Sequence, residues 1–193
     1  MSWANDGDDL GMKKARGKRP GSTKTTAPGG LRRVVLRSCF IFAATLAAWV
    51  GFYPTLMRSD ALGTFMEFNA QMTGAALGML GTEVQVSSTV VSSPDFSMSI
   101  VPECTAIIPM VLLIAAVAAY PSGMKQKLAC LALGLPGLFL LNVIRTVTLF
   151  YAGVHAPGFL DTAHYIIWQS AMVLTVVALW LFWVGRLSNV RTS

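Results

Sequence analysis

Apolar and polar residues fall in long blocks along this chain, and four of the apolar blocks are of membrane length. The stretches at about 34–53, 104–120, 128–151 and 165–184 are predominantly apolar, and each matches the ~17–25 residues that an α-helix needs to cross a bilayer. A fifth stretch, 61–80, has a different pattern. Glu67, Gln71, Gly74 and Gly78 share one helical face, while Leu62, Phe65, Met66, Met72 and Leu80 occupy others, as in a helix lying in an interface or tucked against a bundle. Gly74 and Gly78 also have the small-xxx-small spacing that permits close helix packing.

At 83–101 the period changes to two. Phe96, Met98 and Ile100 alternate with Ser97 and Ser99, the mark of a half-buried strand. Val84, Val86 and Val90 form a looser run before it, and Ser92-Ser93-Pro94-Asp95 supplies turn residues between the two. The patterns together predict a mainly α fold: an integral membrane helical bundle with a small extracytoplasmic β-hairpin at 83–101.

Composition agrees with a membrane protein. Hydrophobic residues make up 54% of the 193 residues and charged ones 12%, about half the ~25% charged residues of a soluble domain. The length allows one compact unit, expected at 31–193, behind a tail at 1–30 that lacks apolar periodicity and reads as disordered. The tail is too long and polar ahead of its apolar run for a cleavable signal peptide. Nine of the fifteen basic residues, Lys13 to Arg37, precede or open the first span, so they set topology and meet anionic membrane lipid headgroups rather than nucleic acid.

With that end inside, Lys125 and Lys127 mark a second cytoplasmic turn, and Arg186 and Arg191 a cytoplasmic C-terminus. Asp60, Glu67, Glu83, Asp95, Glu103 and Asp161 then fall outside. The helix at 61–80 must not cross, or the basic segments would end on opposite sides. Pro109 and Pro136 are expected to kink their spans.

Arg145 is the one charged residue in the 24-residue stretch 128–151. A guanidinium in hydrocarbon costs at least ~2.5–3.5 kcal/mol, which makes an intramembrane Arg a functional-site hypothesis by default. Topology places it about 9 Å below the outer end of its span, counting six residues at 1.5 Å each. Cys104 opens the second span and His164 the fourth, both on the same outer side. A thiol, an imidazole and a guanidinium suffice for acyl transfer: a nucleophile, a general base and acid, and a cation for the thiolate or an oxyanion. Asn142 shares the helical face of Arg145 and is placed to orient it or to add a donor. Glu103 and Thr105 flank the thiol as supporting residues. His155, beside Pro157 and Gly158, is expected in a loop role. Cys39 and Cys130 lie in apolar runs, as small hydrophobes do.

The order of these elements over about 61–183 resembles the exosortase/archaeosortase family of membrane-embedded, cysteine-dependent sorting enzymes. The resemblance rests on Leu77 to Gly81, on Val101-Pro102-Glu103-Cys104-Thr105-Ala106, on Leu141-Asn142-Val143-Ile144-Arg145, and on His164 at the start of the last span. It departs after the nucleophile, where Thr105-Ala106 replaces the common Ser-Gly. The chain is also short, as in a minimal subtype.

The resemblance implies a catalytic trio of Cys104, Arg145 and His164. It implies a multi-pass enzyme of the bacterial inner membrane, whose substrates are secreted proteins with a C-terminal sorting signal, a transmembrane helix and a basic tail. Cleavage would pass through a Cys104 acyl-enzyme on the extracytoplasmic side, with possible transfer to an acceptor. No cofactor is implied. Zinc is the chemical rival, since Cys104, His155, His164, Glu103 and Asp161 are all ligand types, but no His-x-x-x-His or Cys-x-x-Cys pair occurs. The rival of another class is a non-enzymatic transporter subunit or assembly factor in which Arg145 is structural.

Overall fold

The computed structural model describes residues 28–192. The tail expected at 1–30 lies outside them up to residue 27. Helix α1 (Pro28–Met57) is followed by α2 (Asp60–Met79), three short strands, α3 (Ile107–Ala119), α4 (Met124–His155) and α5 (Gln169–Thr192). The fold is mainly helical with one small antiparallel sheet, as the sequence pattern predicts.

Among the described residues, three helical stretches are long and apolar enough to cross a membrane: Gly30–Met57, Met124–His155 and Thr162–Leu187. The stretch predicted at 104–120 is the exception. Its helical part, Ile107–Ala119, has 13 residues and is about 20 Å long at 1.5 Å per residue, short of the ~30 Å hydrocarbon core. Pro102 breaks the run. Its missing N–H suits the first position of a tight 3-10 turn, Pro102–Cys104, which Cys104 closes by donating its N–H to the Val101 carbonyl at 2.8 Å. The nucleophile candidate thus precedes the helix instead of opening it. Pro109 does not kink α3, because it lies in the first turn where no intrahelical hydrogen bond is lost.

Helix α2 packs along α4, and it is not among the described helices long and apolar enough to span. It ends at Gly81, whose φ of +84° is left-handed and lets Thr82 donate its N–H back to the Leu77 carbonyl at 3.0 Å, a common helix stop. The hairpin expected at 83–101 is instead a three-stranded meander of β1 (Gln85–Ser87), β2 (Val90–Ser92) and β3 (Ser97–Ser99). Val91 faces Val86 on one side and Met98 on the other. The predicted turn at Ser92–Asp95 joins β2 to β3. The extra turn falls at Ser88, whose φ of +53° is rarely adopted by serine, so the dipeptide gives little warning of it.

Glycines set how closely the sheet approaches. Gly74 is filled by the Val86 side chain, and Gly153 by the ring of Phe96, so a Cβ at either place would collide. Gly74 therefore serves sheet packing rather than the helix–helix contact suggested by its spacing, and Gly78 meets nothing nearby. Phe96 also packs edge-on against Phe150 at 5.4 Å. The sheet, α2 and α4 enclose one core of Leu77, Val91, Ile100, Cys104, Val147 and Phe150. A second core of Leu113, Val117, Cys130, Leu138 and Val176 lies between α3, α4 and α5. Helix α1 joins the bundle chiefly through α3.

Candidate active site

Arg145 lies ten residues before the last residue of α4, about 15 Å along the axis at 1.5 Å per residue. This is deeper than the predicted 9 Å, because α4 continues to His155. The other two candidate residues come down to meet it. The chain leaving β3 buries Ile100 and runs into the Pro102–Cys104 turn. There the Cys104 carbonyl accepts a 2.8 Å hydrogen bond from Asn142 Nδ2, one turn below Arg145. His164 approaches from the opposite side, 3.8 Å from Nε2 to Cys104 Sγ. With the ring proton on Nδ1, Nε2 accepts the S–H.

His164 sits in a π-helix, Thr162–Trp168. Such wide turns are rare and frequent at functional sites. The wide turn carries His164 and Gln169, five residues apart, to the wall of the same cavity.

That cavity has a volume of about 210 Å³ and is lined by Glu103, Thr105, Arg145, His164, Tyr165 and Gln169, with Ile108 and Pro109 as its apolar side. Arg145 is 2% exposed. Its guanidinium makes no hydrogen bond among the described residues, and its Nε is buried without a partner. A buried cation with nothing to pair is costly, and here it borders a cavity beside a thiol whose ionisation it favours.

The Cys104 thiol is pushed above the ordinary cysteine range. Burial is the main cause, and the Glu103 charge adds to it; the hydrogen bond with the Val101 backbone and the Arg145 charge pull the other way without prevailing. The loss of water thus outweighs the neighbouring cation. A thiol with a raised pKa is mostly protonated at neutral pH. Alkylation of Cys104 by a small neutral reagent should accelerate with pH and reach its midpoint above the ~8.5 of free cysteine. A midpoint below 7 would instead reveal a preformed thiolate–imidazolium pair.

Asn142 does not orient the guanidinium. Both of its N–H donors are used elsewhere, on the Cys104 carbonyl and on Asn69 Oδ1 at 3.2 Å. Asn69 in turn donates to the Phe65 carbonyl at 2.7 Å. One turn on, Thr73 and Thr146 share a 2.8 Å hydrogen bond between α2 and α4. All four side chains are buried. Asn69, Thr73, Thr146 and Gln169 were not singled out by the sequence pattern. The readable signal for the first two was a pair of polar residues four apart on a face of α2 away from Glu67. Thr105 donates to the Pro102 carbonyl at 2.7 Å and steadies the turn. Ala106, at φ −80° and ψ 11°, adopts a backbone open to any residue, so the departure from Ser-Gly carries no strain.

Asn142→Ala would leave the Cys104 carbonyl and Asn69 Oδ1 without their donor. At ~1–3 kcal/mol per buried unsatisfied group, it should destabilise the protein by roughly 2 kcal/mol or more, and Asn69→Ala by less. Thermal melting in detergent checks the order, and a neutral Asn142→Ala would show that the relay holds nothing.

His155 is not brought into the site: it is exposed at the end of α4 and stacks on Tyr151, ring centroids 6.2 Å apart. Among the described residues no three His, Cys, Asp or Glu side chains converge in a way that could hold a metal ion. A family model described as transmembrane exosortase matches residues 29–184. No curated protein and no solved structure matches the chain.

Proposed function

From the premise that this chain belongs to the transmembrane exosortase family, we propose that it is a cysteine-dependent protease and transpeptidase that removes the C-terminal sorting signal of secreted proteins. The observation that carries the proposal is the 3.8 Å approach of the buried Cys104 Sγ to His164 Nε2, where His164 and Arg145 line a cavity together with Glu103 and Thr105, the two residues that flank the thiol in sequence. Cys104, His164 and Arg145 are the catalytic trio. Asn142 and Thr105 hold the nucleophile's backbone, and Glu103 stands at the cavity wall.

His164 takes the thiol proton as Sγ attacks the scissile carbonyl carbon. The guanidinium of Arg145 balances the charge on the carbonyl oxygen. When the C–N bond breaks, His164 returns the proton to the leaving amine and a Cys104 thioester remains. An amine, hydroxyl or water then attacks the thioester, gives its proton to His164, and releases the Cys104 thiol.

The protein is a multi-pass membrane protein, and we place its site on the extracytoplasmic side of the bacterial inner membrane. Support comes from the bundle's basic end: Arg37 and Lys127 border one cavity, and Trp183, three residues before Arg186, packs on Tyr120 at 5.5 Å. That end is cytoplasmic by the positive-inside rule, and Arg145 lies 18 residues beyond Lys127, about 27 Å further along α4, a helix long and apolar enough to span.

The test is to trap the intermediate. With a secreted protein carrying a sorting signal co-expressed, rapid denaturation should yield a Cys104 peptide with an added acyl mass that neutral hydroxylamine releases. Processing that continues with no adduct on Cys104 would overturn the covalent route.

A further inference from the structure

A second pair of cavities lies at the opposite end of the bundle from Cys104, about 20 Å away along the 13 residues of α3. One is an apolar trough of about 510 Å³ between α1, α3 and α5, with Val35, Cys39, Phe42, Ala116 and Trp180 on its walls. The other, of about 300 Å³, is lined by Arg37, Ser122 and Lys127. The two share Val34, Ser38, Ala119, Tyr120 and Pro121, so the apolar trough runs into a cationic end.

Unused polar groups collect along this path. Among the described residues, Ser122 Oγ and Trp180 Nε1 are buried without a hydrogen-bond partner. Lys127 donates to the Ala118 carbonyl at 2.7 Å, which fixes the ammonium at the turn between α3 and α4 and leaves two of its three N–H donors. Among the described residues neither Arg37 nor Lys127 meets a carboxylate.

We propose that this trough is a binding site for one glycerophospholipid with an anionic headgroup. The phosphate lies between Arg37 and Lys127 and takes the Ser122 hydroxyl, and an acyl chain follows Cys39, Phe42 and Ala116. The indole N–H of Trp180, on the trough wall, is a donor for an ester carbonyl. Charge selects this occupant: two cations that meet no carboxylate among the described residues favour an anion, and the apolar continuation favours a tail. A helix with a basic tail would set cations against cations here. The bound lipid bridges α1 to α3 and α5, supplementing the direct contacts of α1, which fall chiefly on α3.

The experiment uses the full chain in detergent, with melting temperature and native mass spectrometry as readouts. Phosphatidylglycerol, phosphatidylcholine with the same acyl chains, and inorganic phosphate are compared. Phosphatidylglycerol is expected to raise the melting temperature and stay bound on ejection from the micelle, while phosphatidylcholine binds several-fold more weakly and phosphate alone does nothing. Arg37→Gln, at an exposed position, should cut the preference for phosphatidylglycerol about fivefold, the effect of one cation at a membrane surface. Ala116→Phe should expel both lipids by filling the trough; if that variant does not fold, Arg37→Gln decides alone. Equal binding of the two lipids, an unchanged preference in Arg37→Gln, or a full effect of inorganic phosphate would each overturn the proposal, the last by revealing a site for a free anion.

Discussion

Cys104→Ala is expected to abolish processing of a co-expressed sorting-signal protein, with a rate loss on the order of 10⁴-fold or more, as when a covalent nucleophile is removed. The protein itself should survive. What Asn142 holds is the backbone carbonyl of Cys104, and that bond does not depend on the side chain. The sulfur contributes to a core shared with Val143, Val147 and Phe150, so its loss should cost only about 1 kcal/mol of packing. Intact-mass measurement of the substrate, beside a melting curve of the variant, separates the two effects. Processing that persists in a folded Cys104→Ala protein would remove the nucleophile from the mechanism, and with it the roles given to His164 and Arg145.

Arg145→Met is expected to split activity from stability in opposite directions. The rate should fall by about 10²–10³-fold, the loss seen when one charge-stabilising donor is taken from a developing oxyanion. Stability should rise. The guanidinium is buried with no hydrogen bond among the described residues, and the desolvation cost of such an ion, on the order of several kcal/mol, is removed by an apolar chain of similar length. Arg145→Lys keeps the charge but loses the fork, and should recover little of the rate. A structural arginine would behave in the reverse way: Arg145→Met would then melt several degrees lower with activity falling only as the folded fraction falls. Melting temperature plotted against processing rate for the two variants decides between them.

The chain's patterning made most of this architecture legible. Long apolar blocks marked the three described helices that are long and apolar enough to span, and the mixed pattern of 61–80 marked a helix that packs along α4. Where the sequence misled, a local backbone effect overrode composition. At 104–120, every residue after Thr105 up to Tyr120 is apolar enough to extend a span, yet Pro102 and the closing bond from Cys104 to Val101 start a tight turn that shortens the helix. The third strand hid behind Ser88, since a left-handed serine leaves no turn signature.

Cys104, Arg145 and His164 were readable as candidates because they are chemically conspicuous in apolar surroundings. Their support was not. Asn69 and Asn142 are 73 positions apart, and only the fold shows that one amide bridges a helix to the Cys104 carbonyl. The direction of the thiol's shift was likewise hidden, because it turns on how much water the folded chain excludes.

The wide turn around His164 has a consequence for how the last helix tolerates change. In an ordinary helix each residue advances the face by about 100°, so inserting or deleting one residue swings everything beyond it. A five-residue turn holds the slack of one such residue. The segment ahead of it is thereby free to aim an imidazole at sulfur, while the segment after it keeps the rotation that suits Val176 and Trp180 against α3 and α4. Shortening Thr162–Trp168 by one residue would tighten the turn and leave the downstream helix seated, but it would point the ring away from Cys104. The reactive geometry and the bundle's packing are thus geared separately within one continuous helix.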